Sequence, residues 1–156
     1  MSPYVWIGAA VVALAAVAIA WRPLRNLSRE FAAAHAREAF ALERSRLHDQ
    51  FLAEANKSGK PRGLRWVECE FGDTYELARD RGSGQLLALA SVTITFEAVE
   101  GGPMEGVEAV GNLRNATAVF TFARGHWKTD GRAVFNLNPD ETLTHFKNQY
   151  ERVERP

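Results

Sequence analysis

Apolar and polar positions divide the chain into stretches of different period. From Tyr4 to Trp21 the sequence reads YVWIGAAVVALAAVAIAW, apolar all round and free of Asp, Glu, Lys and Arg. As a helix, these eighteen residues rise about 27 Å, close to the hydrocarbon thickness of a bilayer. Tyr4 and Trp6 mark one end and Trp21 the other, and such amphipathic rings favour the membrane interface. Arg22 and Arg25 follow at once, within reach of headgroups. Residues 1–23 therefore read as a transmembrane anchor. Gly8, Ala9, Ala13, Ala16 and Ala20 are small enough to let another membrane helix approach closely. A cleaved signal peptide is the rival, because Ala18-Ile19-Ala20 has the form of a cleavage site. But residues 1–21 hold no Lys or Arg, and the run is longer than a signal peptide's apolar region. A retained anchor is expected. A buried soluble helix is disfavoured, because so small a chain hardly covers one on every side.

Residues 24–57 read as one long helix, rich in Ala, Leu, Glu and Arg, with no Gly or Pro from Leu24 to Asn56. Pro23 suits either a new helix start or a kink in one continuous rod. Leu24, Leu27 and Phe31 form one apolar stripe; Phe40, Leu47 and Phe51 form another, shifted round the axis. A heptad seam keeps one stripe throughout, so the expectation is a stalk whose far half packs on its own domain, with self-association as the alternative. Residues 58–63 are a linker, with Gly59 as left-handed cap and Pro61 preventing continuation.

From residue 64 the period becomes two. Val67, Cys69 and Phe71 share one face and Glu68 and Glu70 the other, then Gly72-Asp73 suggests a turn and Thr74 to Asp80 a second strand. Gly82-Ser83-Gly84 is a hairpin signal. Leu86 to Ala98 is the clearest strand, with Leu86, Ala88, Ala90, Val92, Ile94, Phe96 and Ala98 on one face. Glu100-Gly101-Gly102-Pro103 turns the chain. Val107 to Phe122 reads as a long strand whose alternation slips at Gly111-Asn112, as at a β-bulge. After a turn at Ala123-Arg124-Gly125, Trp127 to Leu137 is the last strand, interrupted at Asp130-Gly131. Asn138, Pro139 and Glu141 form a capping-box helix start. Leu143, Phe146, Tyr150 and Val153 then recur at helical spacing, so a closing helix is expected on the sheet. The fold class is α+β: an anchor, a helical stalk, and an antiparallel meander of about five strands over residues 64–156 with a C-terminal helix, the helices covering one sheet face.

Nineteen basic and nineteen acidic residues give zero net charge, which speaks against a nucleic-acid binder. Basic residues are placed asymmetrically. Arg22, Arg25, Arg29 and Arg37 follow the span and none precedes it, so the positive-inside rule puts the N-terminus outside and the domain in the cytoplasm of a cell-membrane protein. Lys57, Lys60, Arg62 and Arg65 cluster around the linker as a candidate contact for a partner or lipid headgroups, although a solvated loop is the commoner explanation. Sequons at Asn26, Asn56 and Asn115 are short enough to arise by chance.

No chemistry stands out. His35, His48, His126 and His145 have no partners at metal-ligand spacing. The glycines near Arg81 and Arg62 precede no phosphate-binding helix. Cys69, the single cysteine, lies between two glutamates that would raise its pKa, and it reads as a core residue. Glu97, Glu100, Glu105 and Glu108 are candidates to meet at one sheet end, more often the role of solubilising edge charges. No cofactor or metal is expected.

The segment Ala116 to Leu137, with its aromatics, Arg124-Gly125 and Trp127-Lys128, resembles the last hairpin of nuclear-transport-factor-2-like domains. That resemblance implies a curved sheet facing helices around a cavity used for binding, catalysis or assembly, and it assigns no site residue. Two functional expectations follow. The first is an anchored accessory or scaffold protein, a subunit or stabiliser of a larger membrane complex, whose partners are the bilayer and another membrane protein or a second copy. The second is a membrane-tethered binding or enzymatic domain with a sheet-lined pocket drawing on Trp66, Phe96, Phe120, Phe122, Trp127 and Phe135.

Overall fold

A computed structural model describes the backbone of residues 3–58 and 63–154, with side chains at 12, 13, 16, 27–57 and 63–154. Two compact units divide the chain, Met1–His35 and Ala36–Pro156. Helix α1 spans Pro3–Ser58, and its backbone stays helical at position 23, so the anchor and stalk expected on either side of Pro23 belong to one helix. Among the described residues no helix is long and apolar enough to cross a membrane. Of the expected span, Val12, Ala13 and Ala16 are described, and all three are exposed. Tyr4, Trp6, Gly8, Ala9, Ala20, Trp21, Arg22 and Arg25 lie outside the described side chains. In the rest of the first unit, Leu27 and Phe31 are exposed.

In the second unit, Ala36, Phe40, Leu47, Phe51 and Ala55 are buried. Their spacing puts them on one helical face, and they pack on one face of an antiparallel sheet. The strands are β1 (Leu64–Asp80), β2 (Leu86–Ala98), β3 (Arg114–Ala123), β4 (His126–Lys128), β5 (Ala133–Phe135) and β6 (Tyr150–Arg152). Their order is β4-β3-β2-β1-β6, with β5 also paired to β3.

β2 has the bounds its alternation predicts. Its even-numbered residues from Leu86 to Phe96 face α1, and Leu87 and Leu89 face the other way. The turn expected at Gly72-Asp73 is instead a bulge inside one seventeen-residue strand, β1. Phe71 pairs with Val92 and Tyr75 with Ala90, so β1 carries two extra residues opposite Ser91. The Ser91 hydroxyl donates to the Thr74 carbonyl at 3.1 Å. A Cβ at Gly72 would lie 2.5 Å from Ser91 Oγ, so a side chain there would push the Ser91 hydroxyl off its bond to Thr74. A second shift falls between Trp66 and Glu68. It turns Val67 out to solvent and brings Trp66, Cys69 and Phe71 to the core face, correcting the simple alternation. Bulges let a long strand bend and follow its partner.

Three other elements differ from expectation. The single last strand expected from Trp127 to Leu137 is two short strands, β4 and β5, each paired with β3. Val107 to Leu113 is not strand; it includes a one-turn 3-10 helix, Glu108–Gly111, that buries Val110. The slip at Gly111-Asn112 therefore marks the start of β3, which first pairs Arg114 with Ile94. The closing helix is also short. Helix α2 is Pro139–His145, with the predicted capping box at Asn138 and Glu141. Tyr150 and Val153 do not extend it, because the chain instead pairs β6 with the open end of β1 at Ala78–Asp80, satisfying backbone groups that would otherwise face water alone. Leu143 and Tyr150 pack with Ala78, Leu87, Leu89 and Val119. The two helices thus cover opposite faces of the sheet, not one.

Polar bonds tie α1 to both sides of the sheet. The Trp127 indole N–H donates to the Ala36 carbonyl at 2.8 Å, and Arg46 donates to the Trp127 carbonyl at 3.3 Å. On the β1 side, Arg44 donates to the Gly72 carbonyl. Asn56 acts as a substitute strand: its amide donates to the Trp66 carbonyl at 3.1 Å and accepts the Trp66 N–H at 3.2 Å. The amide of that sequon is therefore engaged by the fold.

His48 stacks on Phe71 with ring centroids 3.8 Å apart. Burial, then the nearby Arg44 guanidinium, lower its pKa, opposed by Asp49. Its ordinary value is 6.5, so the unfolded chain takes up the proton first as pH falls. Stability contributed by neutral His48 is full above that value and declines as pH falls through it toward the lower folded value. Denaturant midpoints between pH 8 and 5, for the wild type and His48→Gln, should diverge at high pH and converge at low pH. Parallel curves would contradict this.

Candidate functional site

One end of the sheet holds the candidate site. There β1 begins, β2 ends, β3 begins and β5 ends. β2 runs past the start of β3, so its last residues have no strand beside them on that side. The connection from Val99 to Leu113 folds back against this gap and leaves a cavity of about 330 Å³. Leu64, Phe96, Met104, Val107, Val110 and Phe135 supply the apolar wall, and Ala109, Arg114 and Asn136 complete the lining. Behind the wall, Trp66 lies 5.0 Å from Phe96 and 5.9 Å from Phe135 between ring centroids. Val107 and Phe135 are 43% and 41% exposed, a solvation cost that a ligand in the cavity would remove.

Arg114 is the one charged residue in this lining. Its guanidinium donates to the Ala109 carbonyl at 3.3 Å, which uses one of its five donors. Asn136 has a left-handed backbone, φ 61°, and its N–H donates to the Asn115 carbonyl at 2.9 Å. Asparagine tolerates that conformation better than most residues.

The other predicted candidates are dispersed. Lys57 pairs with Glu54 at 2.8 Å and Arg65 with Glu97 at 2.6 Å; Lys60 and Arg62 lie outside the described residues. Of the four glutamates, Glu97 holds that pair and Glu105 accepts the Gly101 N–H at 2.8 Å, while Glu100 and Glu108 are exposed. The Cys69 thiol is half-buried; burial, then the Glu68 carboxylate, push it up to about 12, which suppresses the nucleophilic thiolate. Among the described residues no three of His, Cys, Asp or Glu are placed to hold a metal.

Phe96 and Phe135 are the two aromatics of the expected pocket that line the cavity. Phe120 and Trp127 lie instead in the core beneath α1, where Phe40, Leu47 and Phe51 fill the space over the sheet. Nothing in the sequence pattern groups Met104, Val110 and Arg114, and the strand expected from Val107 onward hides the turn that buries Val110. The three-residue step from Val107 to Val110, just before a glycine, was the available signal for a helical turn. Comparison with protein-family models, curated proteins and solved structures finds no match for the chain.

Proposed function

We propose that the chain is a single-pass membrane protein, with its N-terminus outside and its sheet domain in the cytoplasm, serving as an accessory or scaffold subunit of a larger membrane complex. The carrying observation is the uncharged run Tyr4 to Trp21, aromatic at both ends and followed by Arg22 and Arg25. The domain's construction supports it. Both sheet faces are packed by the chain's own residues, which suits a compact module presenting an outer surface. The small residues of the span allow another membrane helix to approach. Crosslinking in native membranes followed by pull-down should recover a defined higher-mass species containing another membrane protein or a second copy. Recovery of a lone monomer after extraction in mild detergent would contradict the proposal.

The cavity favours a second reading, a membrane-tethered domain that binds a small molecule. A volume of about 330 Å³ falls within the range of small-molecule sites, roughly 300–1,000 Å³.

A further inference from the structure

We infer that the cavity at the end of the sheet binds a free medium-chain monocarboxylate, its alkyl chain between Phe96, Val110 and Phe135 and its carboxylate at Arg114. This rests on the small-molecule reading and names its ligand class. Three observations carry it. Apart from Asn136 and Arg114 the walls are hydrocarbon, aromatic or thioether, so the part of a ligand between Phe96, Val110 and Phe135 must be apolar. Size limits that part to on the order of ten carbon atoms at protein packing density. The single charge in the lining is the Arg114 cation, an exposed side chain with no ion pair among the described residues and with donors suited to a carboxylate. The glutamates of the same connection, Glu100, Glu105 and Glu108, are absent from the lining, so no anion in the wall opposes the ligand.

Met104 offers a direct probe, because it lines the cavity and the only other methionine is Met1. The full chain, labelled with ¹³C at the methionine methyls and held in phosphatidylcholine nanodiscs, is titrated with decanoate, decanol and decyltrimethylammonium. Decanoate should shift the Met104 methyl saturably and more tightly than decanol or the cation, while Met1 shows no saturable change. Arg114→Gln should weaken decanoate at least threefold and leave decanol unchanged. Val107→Trp, at an exposed lining position, should abolish the saturable shift without changing the far-ultraviolet circular dichroism. Equal binding of decanoate and decanol, or no effect of Arg114→Gln, would overturn the monocarboxylate assignment and leave a general apolar site. Absence of any saturable Met104 shift with all three probes would overturn both the assignment and the small-molecule reading.

Discussion

Replacing Trp127 with alanine is expected to destabilise the sheet domain by about 3–5 kcal/mol, the cost typical of emptying a large aromatic site in a core. Trp127 is 1% exposed. Its ring meets Phe40 edge-on at 5.2 Å and Phe122 at 5.0 Å, so truncation removes contacts on two sides at once. Its N–H also reaches across 91 positions of sequence to the Ala36 carbonyl. Trp127→Phe separates the two contributions: it keeps most of the ring and loses the hydrogen bond, for about 1–2 kcal/mol. Equilibrium denaturation should therefore rank wild type above Trp127→Phe and Trp127→Ala lowest. Equal losses for the two variants would mean that the hydrogen bond, not packing, governs the site.

Gly131→Ala should rival it, at about 3–5 kcal/mol from overpacking together with a left-handed backbone. A Cβ at Gly131 would lie 2.2 Å from the Ala55 nitrogen and 2.5 Å from its Cα. Those are backbone atoms of α1, which cannot rotate away as a flexible side chain would. Gly131 also has φ 76°. Gly125 provides the control, because it has φ 82° with nothing within 4 Å of its missing Cβ. Gly125→Ala should show the conformational cost alone, about 1–2 kcal/mol. If both variants lose the same stability, the close approach of β-strand connection and helix is not what selects glycine at 131.

Both sites show how far the sequence could be read and where it stopped. β2 was legible because every second residue from Leu86 to Phe96 is apolar and both its neighbours are strands. The capping box at Asn138 was legible because it is local chemistry confined to four residues. What failed was non-local. Gly72-Asp73 carries a turn signal, yet whether a strand turns or bulges depends on a partner, and β2 is long enough to hold β1 on both sides of the irregularity. Tyr150 and Val153 fit a helical period, yet the unpaired end of β1 offered hydrogen bonds that a helix extension could not supply. Gly131 read as a turn residue, while its decisive contact is with Ala55, 76 positions away. The cavity was hidden for the same reason: it arises where β2 outruns β3, a mismatch of lengths that appears once the register is known. Its apolar members looked like ordinary strand and core residues, and Arg114 like an ordinary surface cation.

The proposed anchor is the reverse case, since the signal for it is wholly local: eighteen residues without a charge, bracketed by aromatic rings. Anchoring also carries most of the functional proposal, because a partner complex in the membrane requires the chain to stay there. Membranes from the native cell, washed with alkaline carbonate and followed by mass measurement of the intact chain, test it most directly. The expected result is a chain retaining Tyr4 to Trp21, held in the pellet and released by detergent alone. A chain found in the carbonate supernatant, or one beginning near Trp21 after cleavage at Ala18-Ile19-Ala20, would contradict it.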